Sequence, residues 1–132
     1  IEDDPERGHR RVSFGELEAL ATATARGMAT HGIRSGDRVA STLEQGVDAL
    51  AIHLACFKLG AVSVPIASLY GTEGLSYRLR DCGARMLVTD AVGAGKLTAM
   101  TEGVRPATLE FVAVADDTVA GGGAFPLFSG LA

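Results

Sequence analysis

The fold of this chain can be read outward from the stretch Phe57-Lys58-Leu59-Gly60-Ala61-Val62-Ser63-Val64-Pro65-Ile66. Its first three residues end an amphipathic run that begins near Val47. Gly60 supplies a residue that adopts the left-handed conformation at a helix end without steric cost. The apolar residues after it are typical of a buried strand, and Pro65 ends that strand because proline has no N–H for the ladder. A helix that turns through one glycine into an apolar strand predicts the second half of a βαβ unit.

Helical and strand-like segments alternate on both sides of this stretch. Ser13 and Glu16 form a capping-box pattern before the first helical run. The predicted helices cover residues 14–31, 46–59 and 73–82, with a weaker helix at 91–101. The predicted strands cover residues 39–43, 62–66, 86–89 and 110–114, and Arg11 with Val12 could form a further short strand. This order predicts an α/β fold, in which βαβ repeats build a parallel sheet with helices on both faces.

Domain organisation follows from the length and from the two ends of the chain. The sequence has 132 residues, the size of one compact domain. Residues 1–10 are polar and are expected to be a flexible lead-in, residues 11–115 form the α/β unit, and residues 116–132 are a glycine-rich linker or tail. The chain starts at Ile1, and neither end carries a structural signal, so both ends are expected to have been cut from a longer protein.

Composition and charge exclude several classes of protein. An apolar fraction of 47% with 21% charged residues is globular, and a net charge of −4 argues against nucleic acid as the main partner. No apolar run reaches the roughly eighteen residues of a membrane span, and no signal peptide is recognisable, so no membrane partner is expected. Cys56 and Cys82 lack a CxxC spacing, which favours a reducing, cytoplasmic location.

The motifs that could carry chemistry are weak. Residues 92–97, Val-Gly-Ala-Gly-Lys-Leu, invite a phosphate-loop interpretation, but Asp90 stands where that motif needs glycine and Leu97 where it needs Ser or Thr. A flexible strand-to-helix loop is the alternative. The triple glycine at 121–123 is typical of a linker. The three histidines are too widely spaced for a zinc site, and His53, at helical spacing, is interpreted as a packed residue. No catalytic residue and no metal ligand are therefore predicted.

A family resemblance emerges from four segments taken together. They are Arg11-Val12-Ser13-Phe14-Gly15-Glu16-Leu17, Gly36-Asp37-Arg38-Val39-Ala40, Phe57 to Ile66 as quoted above, and Leu75-Ser76-Tyr77-Arg78-Leu79-Arg80-Asp81-Cys82-Gly83-Ala84-Arg85. In the same order they resemble the T/S-Y/F-x-E-L opening, the G-D-x-V-A strand entry, the x-K-x-G-A-x-x-V-P segment and the L-x-x-R-L-x-D-S-G-A-x helix end of the adenylate-forming enzymes. That superfamily includes acyl-CoA synthetases, luciferases and the adenylation domains of peptide synthetases.

The resemblance implies an acid–CoA ligase. Such an enzyme converts a carboxylic acid, ATP and CoA into acyl-CoA, AMP and pyrophosphate with magnesium, as in fatty acid metabolism. The family's phosphate loop, adenine-binding segment, hinge and C-terminal catalytic lysine lie downstream of the four segments, with the phosphate loop expected not far beyond Ala132. The resemblance therefore implies an N-terminal fragment that is not catalytic and binds none of these cofactors alone. Its expected partners are the rest of the parent N-terminal domain and, through the apolar face this leaves exposed, a second copy.

One site residue carries over from the family. Some members place a basic pair after the strand equivalent to Leu87–Thr89, near the nucleotide of CoA. Lys96 falls at the second basic position, whereas Gly93 departs from the first. The resemblance thus implies a point-charge contact between Lys96 and a CoA phosphate, helped by glycines at 93 and 95 that allow close backbone approach. The simpler interpretation is a solvated loop lysine.

Two other hypotheses stay open at this point. The chain could be a free-standing α/β binding or interaction module that keeps the scaffold without the chemistry. A flavodoxin-like or dinucleotide-binding domain is the third hypothesis, and the lack of a G-x-G-x-x-G motif after a strand counts against it.

Overall fold

A computed structural model describes residues 2–4, 8–100, 104–115 and 128–130. The helices are α1 (Phe14–Thr30), α2 (Val47–Leu59), α3 (Thr72–Cys82) and α4 (Ala91–Ala99). The strands are β1 (Glu2–Asp4), β2 (Gly8–Arg10), β3 (Arg38–Ser41), β4 (Val62–Pro65), β5 (Met86–Thr89), β6 (Phe111–Val114) and β7 (Phe128–Gly130).

One five-stranded sheet has the order β4-β3-β5-β6-β7. Strands β4, β3, β5 and β6 pair in parallel, with Val39 opposite Ser63 on one side and Met86 on the other. Strand β7 adds to β6 in the antiparallel direction, while β1 and β2 form a separate antiparallel pair. The parallel α/β fold predicted from the sequence is confirmed.

The helices cover both faces of the sheet, as predicted, because successive strand residues point to opposite sides. Val39 and Met86 pack with residues of α1 and α2, such as Met28 and Ile52. The neighbouring strand residue Leu87 packs instead with residues of α3 and α4. Strand β5 is buried along its whole length, as expected for a central parallel strand.

The stretch around Gly60 forms the predicted helix-to-strand turn. Helix α2 ends at Leu59, and Gly60 has the left-handed φ of 69°. The N–H of Ala61 donates to the carbonyl of Cys56 at 2.9 Å, which closes the helix end. Because β4 starts two residues after Gly60, the helix folds directly back along the sheet.

The element ends differ from the predicted ones by one or two residues in most cases, and three short strands have no counterpart in the prediction. Residues 11–12 are not a strand; the strand of this region is Gly8–Arg10. Strands β1, β2 and β7 have three residues each, too few for a hydrophobic alternation to show in the sequence. The triple glycine at 121–123 lies outside the described residues. Within the described part of the chain, no helix is long and apolar enough to cross a membrane.

The amino ends of the strands are tied together by Arg85. Its Nη1 donates to the carbonyl of Gly32 at 2.6 Å and to Asp37 Oδ2 at 2.7 Å, and its Nε donates to Glu110 Oε2 at 3.1 Å. Burial alone raises the pKa of Asp37, but the backbone N–H of Arg34 and the Arg85 guanidinium outweigh that effect and hold the pKa below its ordinary value.

The depressed pKa of Asp37 predicts a pH-dependent contribution to stability. A carboxyl group with a lowered folded-state pKa stabilises the fold above its unfolded pKa of about 3.9 and loses that contribution as the pH falls through the folded-state value. Asp37→Asn should therefore lower the free energy of unfolding at about pH 7. The difference in this free energy between the variant and wild type should become smaller toward about pH 3. Urea unfolding at several pH values measures this; a gap that is constant with pH would contradict it.

Candidate functional site

The strand order places a switch point between β3 and β5. From β3 the chain crosses to β4 on one side, and from β4 it crosses back to β5 on the other side of β3. In open α/β sheets, ligands bind outside the carboxyl ends of the strands at such a point. Here a small crevice lies at these strand ends, lined by Thr42, Ala67, Ser68, Tyr70, Leu75, Asp90, Val92, Gly93 and Lys96.

The floor of this crevice is closely packed. Thr42 directly follows β3, and Thr89 is the last residue of β5. Both are buried, and their hydroxyls share a hydrogen bond of 2.6 Å. Gly93, in the first turn of α4, lies directly against them: a Cβ built on Gly93 would be 1.7 Å from Thr89 Oγ1. The missing side chain of Gly93 therefore lets α4 contact the strand ends, and its close approach within the chain is to Thr89.

Residues 92–97 lie within α4 (Ala91–Ala99), whose N-cap is Asp90. The helix predicted in this region is therefore confirmed over residues 91–99, and the alternative of a flexible strand-to-helix loop is wrong. The side chain of Asp90 accepts the N–H of Gly93 at 2.8 Å, which satisfies one of the unpaired donors at the helix start. The aspartate that broke the phosphate-loop motif is thus a helix cap.

Lys96 lies on α4 and faces the crevice. Its ammonium donates to the carbonyl of Ser68 at 2.7 Å and to the carbonyl of Tyr70 at 2.8 Å. The side chain is half-buried and belongs to a helix, so Lys96 is not the loop lysine of the simpler interpretation. A lysine ammonium has three donors, so one N–H remains beyond these two bonds. Contact with CoA stays a prediction.

A wider groove lies beside the crevice, at the carboxyl ends of β3 and β4. It has a volume of about 790 Å³, within the usual range of small-molecule sites. One wall comes from the start of α2 and the segment before it, and the other from the connection between β4 and α3. The lining residues are Ser41, Leu43, Glu44, Gln45, Gly46, Ala49, Leu50, His53, Pro65, Ile66, Ala67, Ser68 and Leu69.

His53, expected as a packed residue, is half-buried at the edge of this groove. Its Nδ1 lies 2.6 Å from Ser63 Oγ, a pairing across α2 and β4 that the sequence did not predict. Ser63 also hydrogen-bonds to Cys56, whose pKa is raised to about 11 by burial. Among the described residues, no carboxylate is hydrogen-bonded to His53. The hydrogen bonds that link Cys56, Ser63 and His53 therefore lack the acidic group that orients the histidine of a catalytic triad.

The polar groups at the strand ends are largely engaged in contacts within the chain. The carboxylate of Asp90 caps a helix, and the described residues contain no group of three His, Cys, Asp or Glu side chains able to hold a metal ion. Phosphoryl and adenylyl transfer need a metal, a lysine and backbone donors around the same phosphate. The sequence pointed to Lys96 but not to its partners Ser68 and Tyr70. These residues accept through their backbone carbonyls, which every residue type has.

Two ligases are similar in sequence to this chain. The acetyl-coenzyme A synthetase of Cupriavidus taiwanensis is 35% identical over 115 residues, which cover 86% of this chain and 16% of that protein. The medium-chain fatty-acid–CoA ligase of Escherichia coli is 38% identical over 74 residues, 56% of this chain and 13% of that protein. The chain thus spans about a sixth of the length of the first of these.

The fold is shared as well. A fatty acyl CoA synthetase structure from Mycobacterium tuberculosis superposes with a TM-score of 0.77 and 26% sequence identity, over 93% of this chain and 26% of that one. The family described as AMP-binding enzyme matches residues 3–122, nearly the whole sequence. The chain therefore belongs to the AMP-binding enzyme family, the adenylate-forming enzymes that its four sequence segments resemble.

Proposed function

We propose that this chain is part of an acid–CoA ligase, which joins a carboxylic acid to CoA through an acyl-adenylate and releases AMP and pyrophosphate. The observation that carries the proposal is its 35% identity over 115 residues to an acetyl-coenzyme A synthetase. ATP, CoA and magnesium are the cofactors of the proposed enzyme. A cytoplasmic location and a role in fatty acid metabolism belong to the same proposal, supported by the likeness to a medium-chain fatty-acid–CoA ligase.

The chain's own part in this reaction is a scaffold. Near the carboxyl ends of the strands, the described residues place Asp90, which caps α4, and Lys96, which lies on α4. We propose that the groups that hold ATP and magnesium come from the remainder of the N-terminal domain. The third N–H of Lys96, which the two loop carbonyls do not use, is the donor proposed to meet a CoA phosphate.

Assays on two proteins test the proposal. The enzyme expressed from the whole reading frame should release pyrophosphate and form a thioester when supplied with ATP, magnesium, CoA and a suitable carboxylic acid. The 132-residue chain alone should release pyrophosphate only at the background rate measured without protein, because its described residues hold no set of groups that binds a phosphate. If the whole reading frame shows no acid-dependent release across short, medium and aromatic acids, a binding module on the same scaffold is the better assignment.

Exposed apolar side chains on α2 and β4 support the proposal that a partner covers this part of the surface. Leu50 and Phe57, seven residues apart on α2, share a helix face and are 47% and 68% exposed. Val62 at the start of β4 is 47% exposed. We propose that the rest of the parent domain covers these residues in the enzyme and that a second copy covers them in the chain alone. Sedimentation of the chain should show a concentration-dependent dimer that Phe57→Ser weakens; a monomer at high concentration would count against it.

A further inference from the structure

The connection between β4 and α3, residues 66–71, is here called the β4–α3 loop. Within it the structure gives one long backbone hydrogen bond, from the N–H of Tyr70 to the carbonyl of Ala67 at 3.4 Å. Leu69 is 94% exposed, so apolar packing does not hold the tip of the loop. The contacts that fix its shape therefore come from other elements.

Two cationic side chains provide those contacts. The ammonium of Lys96 on α4 bonds to the carbonyls of Ser68 and Tyr70, one on each side of Leu69. The guanidinium of Arg78 on α3 lies 3.5 Å from the centre of the Tyr70 ring. Gly74 leaves room for that ring, since a Cβ there would be 3.2 Å from Tyr70 Cδ1. Side chains of α3 and α4 thus both contact the loop between Ser68 and Tyr70.

The partners of Lys96 differ in kind from those of Lys58, the other lysine of the sequence. Lys58, on α2, forms an ion pair with the carboxylate of Glu18 at the surface. Lys96 instead gives two donors to neutral carbonyls, and charge-assisted bonds of this kind are stronger than bonds between neutral groups. A single side chain that bridges two carbonyls two residues apart restricts the backbone between them.

From these contacts we infer that Lys96 is a positioning residue for the groove. Lys96 is not among the residues that line the groove, but the loop that it holds supplies Ile66, Ala67, Ser68 and Leu69 to one wall. Lys96 therefore sets the position of that wall from the far side of the loop. The role adds to the proposed contact with CoA and does not depend on it.

Amide hydrogen exchange of the chain tests the inference directly, because exchange reports local opening. Lys96→Ala should speed exchange of the hydrogen-bonded loop amides, those of Ile66 and Tyr70, about tenfold, the effect of losing bonds worth about 1.4 kcal/mol, and should leave strand β5 unchanged. Lys96→Arg, which keeps charged donors within reach, should restore much of the protection. Lys58→Ala is the matched control and should leave the loop amides as in wild type. Unchanged loop exchange in Lys96→Ala would overturn the inference.

A kinetic comparison in the whole enzyme separates positioning from direct contact, and this part rests on the proposed function. Arg78→Ala loosens the same loop but leaves the Lys96 charge in place. If the loop position matters, both variants should raise the apparent KM for CoA severalfold with little change in kcat. If only Lys96→Ala does so, Lys96 acts by contact alone and the positioning role in catalysis is wrong. An inactive enzyme would refute the proposed function, while the exchange result would still decide the inference.

Discussion

Gly93→Ala is expected to destabilise the chain by about 1–3 kcal/mol, the range for overpacking a closely packed site. The new methyl carbon would stand 1.7 Å from Thr89 Oγ1 and 3.0 Å from Thr89 Cβ. Thr89 is fully buried and hydrogen-bonded to Thr42, so it cannot turn away without breaking that bond. Either α4 must move off the sheet or the strand ends must separate.

Gly95→Ala is the matched control for this substitution. It lies two residues further along α4, and a Cβ there would meet no atom within 4 Å. Alanine is favoured over glycine in a helix by about 0.8–1 kcal/mol, so this variant should be slightly more stable than wild type. Urea unfolding of both variants gives the comparison. Equal stability of the two variants would mean that α4 is not seated against Thr89 as described.

Leu87→Ala is expected to destabilise the chain by about 2–5 kcal/mol, the range for truncating a buried leucine. Leu87 is fully buried in the middle of β5, the strand between β3 and β6. Its side chain packs with Leu79 of α3 and Leu97 of α4, so truncation leaves a cavity between sheet and helices. Neighbours on a hydrogen-bonded strand cannot easily collapse to fill it.

Leu69→Ala makes the same chemical change at an exposed position. Its side chain is 94% exposed, so the free energy of unfolding should stay within about 0.5 kcal/mol of wild type. Thermal and urea unfolding of the two variants would show the contrast. A small loss for Leu87→Ala would indicate that the helices on this face of the sheet do not pack as described.

The sequence predicted the parallel core well, because apolar strands and amphipathic helices repeat with clear periods. The turn at Gly60 was readable because one residue type serves a left-handed helix end. The strand order was not readable, since hydrophobic patterning does not say on which side of β3 the next strand pairs. The switch point, and with it the crevice, therefore appears only in three dimensions.

For individual site residues, too, the sequence predicted some properties and not others. Lys96 was found through its place in a family pattern, but its acceptors are main-chain carbonyls, which any residue type supplies equally. Gly93 was interpreted as a residue that lets the backbone approach a ligand closely, since a glycine in sequence signals close approach without saying to what. The close approach is to Thr89, a residue of the same chain.

Proline at the end of β4 has a consequence for solubility. β4 is an edge strand of the sheet. The backbone N–H groups of Val62 and Ile66 donate toward β3, so the backbone groups of the residues that alternate with them point away from the sheet. Pro65 is one of these outward residues, and proline has no N–H to offer. The amide of Ala61, also outward, already caps α2. An incoming strand would find few donors here, so this edge resists the open-ended strand addition that builds amyloid.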